Sequence, residues 1–450
     1  MAFISRLIGC HCVQSAITLV ALAALAATSA FAQSAVTLYG NIDYSYGTQK
    51  TTTANDDNPG TAGTLYAAGN TTATKLVGVN GGAAPANFSS NAIGVMGTED
   101  LGNGMKANFK IENSLTNVNG NGSAAVSAFG GGARETWAGL SGGFGELRIG
   151  YQYTDEKTVY DNGEAASGNL NHALYALAGA GRQLRHDAFT YITPAYNGFT
   201  GVLQYGSGSN KRNQINAGDQ AGAETETQGK STHQAIGLKY SQGPLTLAAG
   251  HSKNKVVNNY LTVDAVRTNA LTGAITTNNG NAVVASVSGI NFQLAAAGGA
   301  ADRQVESQAT NTGNYMSAAY NFGSFKLLGN YATHKAGMTG EINNAAVNEL
   351  QRKTKLYQVG VQAPVGKFTP FATFSKGTLK DSDVTAGADT AESKAKSYAL
   401  GTTYALSKRT SMYAVYTNLK LDAKVLPEAA GALENNTKIT QTLVGVRHSF

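Results

Sequence analysis

Cysteine is nearly absent from this chain of 450 residues: there are two, Cys10 and Cys12. From residue 13 onward no disulfide framework or cysteine metal site is possible, so stability must come from the fold itself. Proline is also scarce, at 7 residues, which leaves long stretches free to pair their backbone N–H groups. No run of Lys or Arg occurs, and the formal net charge of +6 is spread along the chain, which speaks against a nucleic-acid partner. Beyond the first thirty residues there is no uncharged apolar stretch of the roughly 18 residues a membrane helix needs. The nearest, 290–301, is broken by Asn291, Gln293 and a Gly pair. If the chain lives in a membrane, a closed barrel is the remaining way to satisfy its backbone. The histidines are scattered, and neither Gly-x-Ser-x-Gly nor His-Glu-x-x-His occurs. Neither a catalytic centre nor a metal or cofactor site is therefore expected.

What is present points the same way. Glycine is frequent at 54 residues, and the 21 tyrosines outnumber the 15 phenylalanines. Glycine costs a helix interior roughly 1 kcal/mol against Ala, so this composition suits strands and turns. Arg6, the apolar stretch from Ala16 to Ala27, and Ala30-Phe31-Ala32 have the form of a secretory signal cleaved after Ala32. Residues 1–32 are thus expected to be removed and 33–450 to form one barrel domain. Without Arg6, 33 basic side chains remain against 28 acidic ones, a net of +5.

From there the chain alternates with period two. Met105, Ala107, Phe109 and Ile111 interleave with Lys106, Asn108, Lys110 and Glu112. Leu147, Ile149 and Tyr151 interleave with Glu146, Arg148, Gly150 and Gln152. One apolar and one polar face is the strand pattern. The joints discriminate further. Short ones (Glu99 to Gly104, Gly142 to Gly145, Pro194 to Gly198, Gln242 to Pro244, Gly323-Ser324, Val365 to Lys367, Leu406 to Thr410) alternate with long polar ones, the longest from Lys255 to Gly313. Strict short–long alternation puts all turns at one rim and all loops at the other, as in a transmembrane antiparallel β-barrel. The count is sixteen strands, an even number, and such a barrel leaves an aqueous channel. Val283 to Leu294, inside the longest loop, could hide a further hairpin.

The blocks Val36–Asp43, Gly97–Ala107, Gly139–Leu147 and Val444–Phe450 together resemble the trimeric Gram-negative porins of β-proteobacteria, in family order and across residues 33–450. The resemblance implies a sixteen-stranded all-β barrel in the outer membrane, a homotrimer, and passive diffusion of small hydrophilic solutes. It implies contact with outer-membrane lipid and lipopolysaccharide, and recognition by the assembly machinery through the terminal Phe450. It also implies a third loop folded into the lumen, whose acids face basic residues on the wall. The third long loop is Tyr153 to Gln183. Its candidate acids are Asp155, Asp161 and Glu164, with Glu156 assigned rather to the rim. Candidate basics are Lys106, Lys110, Arg134, Arg148, Arg182 and Arg185. Two positions depart from the family: Tyr151 and Ala92 stand where Arg is usual, so only a weak anion preference is expected. Tyr39, Tyr191, Tyr320, Tyr404, Tyr413 and Phe371 are candidates for the interfacial aromatic girdles. A substrate-specific porin, for which Tyr153, Tyr160 and Tyr175 leave room, and a non-conducting adhesin or structural barrel are the other readings.

Overall fold

The computed structural model describes residues 35–55, 70–77, 89–115, 133–166, 185–214, 225–262, 281–287, 290–295, 303–342, 345–383, 390–424 and 434–450. The expected signal segment and Arg182 lie outside these residues. Alternating faces and short turns yield antiparallel hairpins one after another. They are β1 (Ala35–Asn55), β2 (Asn70–Val77), β3 (Ala92–Gly102), β4 (Met105–Ser114), β5 (Ala133–Gly142), β6 (Gly145–Tyr153), β7 (Arg185–Ile192), β8 (Phe199–Gln214), β9 (Thr225–Gln242) and β10 (Leu245–Thr262). There follow β11 (Asn281–Val287), β12 (Ile290–Ala295), β13 (Arg303–Asn321), β14 (Lys326–Ile342), β15 (Ala345–Gln362), β16 (Phe368–Asp383), β17 (Thr390–Ala405), β18 (Thr410–Lys424) and β19 (Glu434–Ser449). A helix, α1 (Asp155–Asn162), follows β6.

Sixteen of these strands form the closed barrel. β2 is an addition: it pairs with the upper half of β1, Tyr46 opposite Val77 through Thr53 opposite Asn70, while the lower half of β1 pairs with β3. The hairpin suspected in the longest loop exists as β11–β12, but it is a separate two-stranded sheet and not part of the wall. Each expected strand is present. β1 and the wall strands from β8 onward run past their expected loop-side ends, β1 to Asn55, β10 to Thr262 and β14 to Ile342.

The last strand closes on the first. β1 and β19 pair from Asn41 opposite Ser449 to Asn55 opposite Asn435. Gly40 and Phe450 exchange two backbone hydrogen bonds of 3.1 Å. The Phe450 ring lies over Gly40 so closely that a Cβ there would overlap it. The absence of a side chain at residue 40 is what lets the terminal aromatic seat on the seam.

Outside, the barrel presents Val36, Leu38, Ile149, Leu203, Val359 and Leu400, all strongly exposed as lipid-facing residues of a barrel are. Aromatic pairs cluster beside the short turns: Phe199 with Tyr240, Phe322 with Phe325, Phe368 with Tyr404. Three of the six expected girdle aromatics are elsewhere. Tyr39 points inward to Glu112, Tyr413 donates to the inward Asp43 at 2.6 Å, and Phe371 is buried with Ala166 and Ala399. The register explains it, since each alternates onto the polar side of its strand, where a hydroxyl or an apolar loop contact satisfies it.

Candidate functional site

The wall of β3–β6 carries a dense charge network. Glu112 on β4 lies directly opposite Glu135 on β5. Two carboxylates at that spacing repel unless cations intervene. Lys110 answers both: it pairs with Glu135 and lies 3.4 Å from Glu112. The second cation depends on a bulge. Glu112 pairs with Glu135 but Asn113 with Ala133, so Arg134 is the extra residue. A bulge re-aims a side chain, and Arg134 Nε donates to Glu112 at 2.5 Å. The same guanidinium donates to the Tyr153 hydroxyl at 2.7 Å, and Arg185 donates to that oxygen at 2.9 Å. Tyr39 completes the chain with a 2.7 Å bond to Glu112.

Arg148 makes a two-pronged contact with Glu146 at 2.8 and 2.9 Å, with its guanidinium 4.4 Å from the Trp137 ring. Lys106 alternates onto the same face as Lys110, is exposed, and makes no ion pair among the described residues. Tyr151 shares the alternation of Leu147 and Ile149, the lipid side, so the residue there adds no charge to the lumen. Ala92 does face inward, in register with Asn41 and two residues from Gly94, over which the Tyr39 ring lies.

The chain turns inward after β6. Thr154 caps α1 by accepting the Lys157 N–H, and Asp155 and Glu156 occupy the first turn, where acids suit the helix dipole. Val159 and Tyr160 pack against Ala248, Tyr315, Ala332 and Leu356 on the inner faces of β10 and β13–β15. Those inward apolar residues break the polar-in pattern because the helix covers them.

Asp155 is 5% exposed. Its N–H donates to Gln204 at 2.7 Å, and Tyr315 donates to its carboxylate at 3.1 Å. It occupies space left by two glycines: a Cβ on Gly237 or Gly250 would overlap the carboxylate. Glu156, expected at the rim, is 1% exposed, with Oε1 3.2 Å from His334 Nε2. Asn162 donates to Ser317 at 3.0 Å, and Gln362 to the Ala165 carbonyl at 2.6 Å. Asp155 and Glu156 therefore fasten the loop to the wall. Asp161, its side chain 49% exposed and paired with Lys157, points away from it, and Glu164 follows the helix, partly buried. No sequence signal separated the fastening acids from the others. The small inward residues Gly237 and Gly250 were the available clue.

Burial pushes the Asp155 carboxyl up to about 6 against the opposing Tyr315 hydrogen bond, with Glu156 adding to the rise. A raised value means that the docked state favours the proton. The stabilisation is complete below the ordinary Asp value of 3.8 and is lost as pH rises through about 6. Open-channel current noise from loop motion should therefore grow between pH 4 and pH 8 with a midpoint near 6. An Asp155→Asn channel should show a flat profile. A wild-type profile that is itself flat would sink this assignment.

A model of the Gram-negative porin family matches residues 18–285 and 260–424. The chain is 28% identical to outer membrane porin protein 32 of Delftia acidovorans, across 96% of this chain and 99% of that one. It is 27% identical to an outer membrane porin protein of Bordetella pertussis, across 79% of this chain and 81% of that one. In fold it resembles the anion-selective porin from Comamonas acidovorans, with a TM-score of 0.54 and 22% identity over 93% of this chain and 100% of that one.

Proposed function

We propose, given that this chain belongs to the Gram-negative porin family and is an outer-membrane porin, that its channel has a weak anion preference set by the charge network of β3–β6 and the loop carrying α1. Small hydrophilic solutes and ions cross it by passive diffusion. The observation that carries the reading is the closed β1–β19 seam around a wall whose inward residues are charged or polar. In a narrow, partly desolvated pore, fixed charges orient water and select by charge. The basics of the constriction are Lys106, Lys110, Arg134, Arg148 and Arg185, with Arg182 beyond the described residues. Its acids are Asp161 and Glu164, and Asp155 acts from behind by holding the loop. The preference is weak because Lys110, Arg134 and Arg148 are matched by Glu112, Glu135 and Glu146.

The homotrimer belongs to the same reading. Its support is the sector of short strands β3–β7, whose outer face, with the start of β1, carries an apolar concavity lined by Val36, Phe109, Ala138, Leu140, Ile149 and Phe189. Phe450, on the closing seam, is the residue the assembly machinery would read.

Planar-bilayer recording tests the reading. Stepwise single-channel insertions are expected, with a reversal potential slightly toward anions under a salt gradient. Combining Asp161→Asn with Glu164→Gln should move that potential further toward anions. An unchanged potential would remove both from the constriction, and the absence of steps would overturn the channel.

A further inference from the structure

Two of the histidines scattered along the sequence meet on the inner wall. His186 on β7 shares the alternation of the buried Ala188 and Thr190, and His233 on β9 that of the buried Ala235. Phe189 and Ile236, on the opposite alternation, are exposed on the outside. Both imidazoles therefore point into the barrel. Between them on β8 stands Gly206, in register with His233. A Cβ there would overlap the His186 ring. The glycine thus lets the two rings stack, with centres 5.2 Å apart and planes 20° from parallel.

Each ring commits one nitrogen to an oxygen. His186 Nδ1 lies 2.6 Å from the Asp187 carbonyl, and His233 Nδ1 lies 2.6 Å from Asn254 Oδ1. A carbonyl oxygen only accepts, so Nδ1 carries the hydrogen in both rings and the Nε2 lone pair is left over. Metal-binding histidines are oriented in this way, by a carbonyl or carboxylate on the far N–H. His233 carries the argument further. It is fully buried, and its Nε2 faces a second acceptor, Gln204 Oε1, at 3.5 Å. That oxygen already accepts the Asp155 N–H at 2.7 Å, while Gln204 Nε2 donates to the Tyr153 carbonyl and the Thr190 hydroxyl. Turning the amide over would lose all of these bonds. A nitrogen lone pair held against an oxygen is repulsive unless a cation lies between them.

The spacing suits a metal ion. Ligand atoms about 2.1 Å from one tetrahedral centre stand about 3.4 Å from each other, and two imidazoles bound to it have ring centres about 5 Å apart. The separations of Nε2 from Oε1 and of the two rings agree with both values. The buried Glu156 carboxylate acts on His233 and supplies negative charge nearby. Among the described residues no third His, Cys, Asp or Glu joins the pair, and His186 is only half-buried.

We propose that His186 and His233, with the Gln204 amide oxygen, form a binding site for a divalent transition-metal ion of the zinc class, its remaining position open to water. Three protein ligands and an open position make the ion exchangeable. Because Gln204 is bonded to Tyr153 and Asp155, an ion there ties β7 and β9 to the root of the loop carrying α1. The proposal goes beyond the channel reading and uses none of the constriction charges.

The test uses untagged protein extracted from the outer membrane in mild detergent and stripped with EDTA. Calorimetric titration with zinc should show one ion bound per chain. Copper(II), which favours the same imidazole ligands, should give an electron paramagnetic resonance spectrum split by two nitrogens. His186→Gln should weaken zinc binding by about tenfold or more and leave one nitrogen in the copper spectrum. His233→Gln should do the same, with heat-modifiability on a gel reporting its folding. His251→Gln on the outer face and His334→Gln beside Glu156 should bind zinc as the wild type does. A wild type without the two-nitrogen spectrum would overturn the proposal and leave His233 a protonated, stacked imidazole, a result that needs no variant to fold. Unchanged zinc affinity in His186→Gln would overturn it as well. So would loss of binding in His334→Gln, which would move the ion to the Glu156 pair.

Discussion

A Glu112→Gln channel should pass anions over cations about fivefold more strongly than the wild type, since a unit charge at 4 Å is worth about 1 kcal/mol even at the dielectric of bulk water. Glu112 is the hub of the wall: it accepts from Arg134 and Tyr39, and Lys110 lies 3.4 Å away. Neutralising it leaves Lys110 and Arg134 with one carboxylate fewer between them and turns their charge toward the passing ion. Glutamine keeps an acceptor for the Tyr39 hydroxyl, so the barrel should still fold. Glu112→Leu should not be so tolerant. It strands a mostly buried guanidinium, a loss of about 3–5 kcal/mol, and should lower the temperature at which the folded form converts on a heat-modifiability gel. Reversal potential under a salt gradient is the measurement for Glu112→Gln. A potential equal to the wild type would show that these charges do not border the conducting path.

The second large effect is expected at Gly250. A Cβ there overlaps both the Tyr315 ring and the Asp155 carboxylate. Gly250→Val should expel Asp155 from the wall and break its hydrogen bond from Tyr315, a contact worth about 0.5–1.5 kcal/mol to the protonated, docked carboxyl. Without that anchor α1 should leave its place on β10 and β13. The barrel itself should survive, since its seam and turns are remote from Gly250. The expected readout is a broad, noisy conductance distribution in place of one level, with heat-modifiability retained. A single wild-type level from a folded Gly250→Val barrel would mean that α1 is held by other contacts. Gly237→Val, on the neighbouring strand, should act in the same way, because it meets the same carboxylate.

Sequence alternation was a reliable guide where one face of a strand meets lipid and the other meets water. Met105–Ser114 is the clearest case, for the period-two segment and β4 coincide. It failed where that contrast ends. The upper parts of β10 and β14, such as Lys253–Thr262 and Lys335–Ile342, rise beyond the apolar band. There the apolar residues, Val256, Val257, Tyr260 and Leu261 among them, no longer alternate with polar ones, so the stretch resembles a loop although the ladder continues. It failed again inside. Tyr315, Leu356 and Leu379 point into the lumen and look misplaced until α1 and the loop that carries it cover that wall.

The functional wall divides along the same line. Period and spacing alone identified the barrel and its sixteen strands, whereas the loop that enters the lumen was legible only through the resemblance to a family. The sequence could not separate Asp155 and Glu156 from Asp161, since a carboxylate that anchors and one that faces water are the same residue type. Nor could it show that Arg134 reaches Glu112, which requires a one-residue bulge opposite Asn113. Burial, register and bulges arise only when distant strands close on one another. Period-two alternation and the short–long spacing of the joints pointed to a barrel, but only that closure decided which of its charges are buried and which stay exposed.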